Sequence, residues 1–165
     1  MGKHVHEMLL VGSREPIELD VARVTARFAR PGVTAALGEV GVASPAALLA
    51  TWVTDRAGLQ RYVDGAPPVT DDRPRIEYAT WVRPAEVVRV LPRLLALGTT
   101  VPLPGASEML QADVAGERER LWRFYVVGLQ AYSREARLSI RELRRVLDDE
   151  GANPYYRWFT GGGPS

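Results

Sequence analysis

One short apolar run restricts the folds open to this chain, because it has almost no counterpart elsewhere in the sequence. His6–Gly12 (His-Glu-Met-Leu-Leu-Val-Gly) has the length of a buried strand rather than of a helix. A strand needs neighbours, because its backbone N–H and C=O groups must find partners. Only Arg75–Trp81, which alternates between charged and apolar residues, predicts a second extended segment. We therefore expect the rest of the sheet to lie upstream of this chain.

The remaining sequence predicts helices separated by turns rich in proline and glycine. Ser44-Pro45 combines a capping residue with proline at the first helical position. The periodicity of apolar residues predicts helical segments over 16–28, 33–40, 46–53, 58–63, 84–97, 108–132 and 133–150. The fold class predicted is mainly α with a small β contribution, an α/β remnant in which packed helices and a C-terminal helical hairpin follow one strand. The predicted organisation is a compact region 1–97, a linker 98–107 and the hairpin 108–165.

Composition excludes several classes of function. The chain has 165 residues, 46% of them apolar, which suits one globular domain. A formal net charge of +1 gives no reason to expect a nucleic acid as partner, and the absence of cysteine excludes disulfides and thiolate chemistry. No apolar run reaches the 18 or so residues of a membrane segment. We expect a soluble, cytoplasmic chain.

The densest set of reactive side chains lies between Thr70 and Tyr78. Asp71, Asp72 and Glu77 supply carboxylates that can bind a cationic amine or deprotonate it, and Tyr78 can add a cation–π contact. The structural alternative is that an aspartate caps a turn and pairs with Arg73 or Arg75. Local sequence alone favours this structural alternative.

Other candidates give weaker signals. His4 and His6 would share a face of a strand, but no third metal ligand is near them, so no metal site is predicted. Arginines and glutamates alternate along the hairpin, which predicts a solvated, ion-paired face. The aromatic segment Tyr155–Phe159 favours packing on the hairpin over stacking on bases. A tetratricopeptide unit is a further interpretation of the hairpin, although only one copy is present. No nucleophile and base can be assembled into a catalytic set.

Two segments, taken in order, resemble the spermidine synthase family, particularly its bacterial branch fused to a transporter-like membrane region. His6–Ser13 is similar to the last strand of the family's methyltransferase-like sheet, which ends in Gly-Ser. Pro68–Tyr78 is similar to the Thr-Asp-Asp-x-Pro-x-x-Glu-aromatic motif of the fused branch. The resemblance covers Val5 to Pro84, and Asn153–Tyr156 is similar to tail segments of the same branch.

The resemblance implies a parent aminopropyltransferase that moves an aminopropyl group from decarboxylated S-adenosylmethionine to putrescine. In the family, three motifs precede the matched strand: the glycine-rich nucleotide loop, the acidic residue that binds the ribose, and the central catalytic aspartate. None of them is present in this sequence. The resemblance therefore implies the C-terminal portion of such an enzyme, inactive by itself and binding no cofactor. Its expected partner is an N-terminal methyltransferase-like domain, and the parent would be attached to the membrane through the transporter-like region.

Two alternatives remain beside this interpretation. The chain can be a free-standing, non-catalytic helical module for protein interactions, or, with less support, a complete small enzyme. An apolar strand at an exposed edge also favours self-association, which makes a homo-oligomer a further candidate partner. The DNA upstream of Met1 distinguishes the C-terminal portion of an aminopropyltransferase from the free-standing module. An in-frame extension that encodes a glycine-rich nucleotide loop favours the enzyme. A stop codon with a ribosome-binding site directly before Met1 favours the module.

Overall fold

The computed structural model describes residues 9–15, 17–68, 70, 72, 87–132, 145, 148, 153, 154 and 156. Its helices are α1 (Val21–Phe28), α2 (Pro31–Glu39), α3 (Pro45–Ala50), α4 (Arg56–Val63), α5 (Val87–Ala96) and α6 (Glu108–Tyr132). These helices confirm the mainly helical fold class, whereas the predicted β contribution is not observed in the described residues. The predicted extended segment Arg75–Trp81 lies outside the described residues, as does most of the predicted helix 133–150.

The predicted strand His6–Gly12 is not formed over the part that is described. Leu9–Gly12 has no regular secondary structure, and Leu9, Leu10 and Val11 are 85%, 70% and 68% exposed. A strand is stable only when neighbouring strands accept and donate its backbone hydrogen bonds, and the described chain offers none. The predicted strand is therefore not confirmed in the described residues Leu9–Gly12.

Several of the helices begin where a side chain caps them. Asp20 accepts a hydrogen bond from the Arg23 amide at 2.8 Å, and Asp55 accepts one from the Gly58 amide at 2.8 Å. Ser44 accepts from the Ala47 amide at 3.0 Å, directly before proline at the first position of α3. These bonds satisfy amides that have no partner inside the helix. The cap and proline predicted at Ser44-Pro45 are confirmed, although α3 ends at Ala50 instead of Val53.

The described chain divides into two compact units. The first unit contains the residues up to Trp52 and those from Val101 onward, and the second runs from Val53 to Thr100. In the first unit α3 packs along α6, and α1 contacts both α2 and α3. One cluster of buried side chains in this unit consists of Ala46, Leu49, Val101 and Val114.

Aromatic packing extends the first unit along α6. Phe124 is fully buried, and its ring centroid lies 4.6 Å from that of Tyr156, which is 4% exposed. An aromatic pair at this distance stabilises by about 0.5–1.5 kcal/mol beyond its buried area. For Tyr156, packing against the first helix of the predicted hairpin is therefore confirmed.

In the second unit, a hydrogen bond between distant residues holds α4 and α5 together. The Thr54 hydroxyl donates to the carbonyl of Leu97 at 2.6 Å, and the Thr99 amide donates to the Val53 carbonyl at 3.1 Å. Gly58 lies directly under this connection. A Cβ atom at position 58 would overlap the Thr54 hydroxyl oxygen and lie 3.0 Å from the Leu97 carbonyl oxygen. The close approach therefore requires glycine.

The division of the described chain into two compact units differs from the division that the sequence predicts at the linker 98–107. Val101 is 6% exposed within the core of the first unit, and Leu103 packs against that core. Residues of the predicted linker thus connect α3 and α6 by packing. The boundaries 1–97, 98–107 and 108–165 stay predictions for the domain organisation of the whole chain.

Candidate functional site

The candidate site begins at the turn that contains Thr70 and Asp72, in the second unit. Both residues are exposed. A hydrogen bond from the Thr70 hydroxyl and a second one from the backbone amide of Asp72 itself stabilise the Asp72 carboxylate and lower its pKa. Asp72 therefore presents a negative charge to solvent at neutral pH.

The other residues predicted for this site lie outside the described residues. They are Asp71, Glu77 and Tyr78, together with the arginines Arg73 and Arg75 that the structural alternative pairs with an aspartate. Within the described part, the bonds to Asp72 come from its own turn. This arrangement suits a turn-forming role for Asp72 and leaves the carboxylate accessible, so both interpretations of the loop remain.

The segment that leads into the site is shaped by the end of α4. Gly65 has φ +73°, a left-handed conformation that glycine adopts without steric cost, and the Ala66 amide donates to the Val63 carbonyl at 2.9 Å. On α4 itself, the Tyr62 ring lies below the guanidinium of Arg93, with 6.0 Å between the guanidinium carbon and the ring centroid. The cation–π contact is at the outer limit of its range and stabilises α4 against α5 modestly.

A groove in the first unit was not anticipated from the sequence. It has a volume of about 820 Å³ and lies between α1, with the residues just before it, and the turn that leads into α6. The exposed alanines Ala22, Ala26 and Ala29 form one wall, and Gly105, at φ +71°, lies in the other. Glu18 and Asp20 place two carboxylates at the N-terminal end of the groove. The spacing of the three alanines at i, i+4 and i+7 is a signal that could have identified this face.

The charged face of α6 follows the sequence prediction. Glu117 pairs with Arg120 and Glu119 pairs with Arg123, each at 2.7 Å and both on a solvated surface. Such exposed pairs contribute about 0.3–0.5 kcal/mol each. The Arg118 guanidinium carbon lies 4.5 Å from the centroid of the Trp122 ring, and partial burial lowers the pKa of Arg118. Arginine remains charged in proteins, so this contact orients a cation on the helix.

The described residues offer neither a metal cluster nor a membrane span. No group of three or more His, Asp or Glu side chains there could hold a metal ion. None of the helices in the described ranges combines the length and the apolar character needed to span a lipid bilayer.

The comparisons add no relative to this picture: no protein-family model, curated protein or solved structure matches the chain. The resemblance to the spermidine synthase family thus rests on the residues quoted from the sequence.

Proposed function

We propose that this chain is the C-terminal portion of a spermidine-synthase-like aminopropyltransferase and that it contributes an amine-binding loop. The residues of this loop that would bind the amine are Asp71, Asp72, Glu77 and Tyr78. The reaction of the parent enzyme would move an aminopropyl group from decarboxylated S-adenosylmethionine to putrescine. Nucleotide binding and catalysis would belong to an N-terminal methyltransferase-like domain.

The observation that carries the proposal is the exposed, anionic carboxylate of Asp72. An exposed aspartate is ionised at neutral pH, and hydrogen bonds from Thr70 and the backbone amide lower the pKa of Asp72 further. A diamine such as putrescine is a dication and needs anions to replace the water that it loses on binding. The Thr-Asp-Asp-x-Pro-x-x-Glu-aromatic motif places two further carboxylates within a few residues of Asp72.

The exposed segment Leu9–Gly12 supports the same proposal. Consecutive apolar side chains that are mostly exposed are unusual unless another surface covers them. As the last strand of a methyltransferase-like sheet, the segment would gain both backbone partners and a cover for Leu9, Leu10 and Val11. Cytoplasmic location, and attachment of the parent through a transporter-like region, belong to this proposal.

A second candidate function has one observation in its favour. The described part is helical and carries an exposed apolar segment, which also suits a non-catalytic module that binds another protein. The two candidates differ in the role of the carboxylates, because the module needs none of them to bind an amine.

Amine binding by Asp72 tests the proposal directly. We expect putrescine to shift the NMR signals of residues around Asp72 with weak, saturable, salt-sensitive affinity. Asp72→Asn should abolish the saturable shift, whereas Asp64→Asn, a matched change at an exposed aspartate of the same unit, should preserve it.

Two results decide between the candidates. If putrescine shifts no signals, or if both variants respond alike, the amine-binding role is wrong. Capture of a protein partner that depends on Leu9, Leu10 and Val11, without any response to putrescine, would then favour the interaction module.

A further inference from the structure

We propose that the groove beside α1 is the interface of a homodimer, in which the α1 helices of two copies lie antiparallel. The groove is open and about 820 Å³ in volume, and its α1 wall carries Ala22, Ala26 and Ala29. Small side chains allow helix axes to approach to about 8 Å. The choice of a second copy as occupant rests on the distribution of charge along α1.

Carboxylates precede α1, and guanidinium groups lie at its C-terminal end. Glu18 and Asp20 lie before the helix, whereas Arg27 and Arg30 lie at its C-terminal end, and all four are exposed. A further exposed cation, Arg23, lies in the first turn. In the described part of the chain, Glu18 and Arg30 form no ion pair with each other or with other residues. An antiparallel second copy would place carboxylates opposite guanidinium groups at both ends, and it would also oppose the two helix dipoles.

Two-fold symmetry determines which residues meet. Suppose that Ala22 of one copy faces Ala26 of the other. In an antiparallel pair, four residues back along one chain correspond to four residues forward along the other, so Glu18 lies opposite Arg30. The pairing then occurs twice in the dimer. A parallel partner helix would bring like charges together, so the surface complements itself only in the antiparallel arrangement.

The size of the surface limits the affinity. A helix of eight residues is about 12 Å long. Two such helices with the adjoining turns bury less than the ~1,200 Å² of a standard interface. We therefore expect a weak dimer that forms at high protein concentration and dissociates in high salt.

Charge reversal followed by charge exchange is the test. The side chain of Arg30 makes no capping bond, and Glu18 lies outside the helix, so both positions can change without loss of a cap. In sedimentation equilibrium up to millimolar concentration, Glu18→Arg and Arg30→Glu should each raise the dimer Kd by about tenfold or more. A mixture of the two variants should form a heterodimer with nearly the affinity of the unchanged chain. In that heterodimer the guanidinium introduced into one chain meets the carboxylate introduced into the other, and the unchanged Arg30 and Glu18 meet at the opposite end.

Two neutral substitutions test the groove itself. Ala26→Gln should weaken the dimer by filling the α1 wall, whereas Ala35→Gln on the exposed surface of α2 should leave the Kd unchanged. Glu39→Arg, also on α2, controls for net charge. A chain that stays monomeric at all concentrations overturns the proposal, as does a mixture that fails to recover the dimer or an Ala26→Gln variant with unchanged affinity.

Discussion

At the scale of single residues, the structure assigns clear roles to Gly58 and Asp72. Gly58 permits the Thr54 hydroxyl to reach the Leu97 carbonyl, and hydrogen bonds in its own turn lower the pKa of Asp72. Asp72 was recognisable from the sequence as a turn residue or a ligand for an amine. The need for glycine at position 58 was not apparent, because Leu97 is 39 positions away along the chain.

Gly58→Ala should destabilise the protein although alanine is the better helix former. The added methyl group would displace Thr54 and break its bond to Leu97, and we expect a net loss of about 1–2 kcal/mol after the gain in helix propensity. Gly116→Ala in α6 should instead stabilise by about 0.5–1 kcal/mol, because no atom lies within 4 Å of the new Cβ. Urea denaturation measures both; a stabilised Gly58→Ala variant would contradict the close approach.

Thr70→Val should raise the pKa of Asp72 toward its ordinary value. The Thr70 hydroxyl is the largest cause of the lowered pKa, and the remaining amide bond keeps part of the shift. Because the folded-state pKa is depressed, the stabilisation is present above the unfolded pKa and is lost as the pH falls through the folded pKa. A carboxyl ¹³C NMR titration measures the change. Thr70→Ser, which keeps the hydroxyl, should retain the low pKa, and identical titrations for Thr70→Val and the unchanged chain would contradict the assignment.

At the scale of elements, caps and packing contribute differently. Side chains of Asp20, Ser44 and Asp55 cap helix N-termini, and these caps determine where α1, α3 and α4 begin. Packing stabilises the short helix α3, since an isolated helix of six residues is unstable in water. Its buried face against α6 supplies the stability that its length cannot.

Leu49→Ala should therefore be costly. Leu49 is 6% exposed in the core shared by α3 and α6, and truncation leaves a cavity that costs about 2–4 kcal/mol. Leu9→Ala, the same substitution at a side chain that is 85% exposed, should change stability by less than about 0.5 kcal/mol. Thermal or urea unfolding of the two variants compares them, and equal effects would mean that α3 does not depend on this core.

At the scale of the whole molecule, the described chain consists of two compact units, and each contains buried apolar side chains. Leu49 and Val114 are buried in the first unit, and Leu91, Leu94 and Leu95 are buried in the second. In the second unit, the Thr54 bond and the Tyr62–Arg93 contact also connect α4 to α5. Neither the sequence of the first unit nor that of the second contains a glycine-rich strand-to-helix loop that could hold a dinucleotide or an adenosine.

The chain should bind neither S-adenosylmethionine nor its decarboxylated form. We expect this because the sequence contains no glycine-rich loop of the kind that positions an adenosine in known sites. Isothermal titration calorimetry should detect no heat of binding for either compound. Micromolar affinity would show that the chain carries a site of its own for these compounds. That result would contradict the proposal that an N-terminal methyltransferase-like domain binds them.

Local patterns in the sequence were sufficient to place most helices and many of their ends. Caps, prolines and glycines act on residues one to four positions away, so Ser44-Pro45 and the whole of Glu108–Tyr132 could be predicted. The packing of Tyr156 also followed, because a large aromatic side chain gains most by burial. Asp72 and its neighbours stood out as a site by their charge, whereas the α1 groove did not.

The division between core and surface depended on contacts that exist only in the folded chain. Val101 lies in a stretch rich in proline and glycine and is nevertheless buried, because α3 and α6 enclose it from parts of the chain far apart in sequence. Leu9–Gly12 has the composition of a buried strand and is nevertheless exposed, because no described strand lies beside it. A local sequence pattern indicates which secondary structure a segment prefers. Burial and strand pairing depend on partners that only folding brings together.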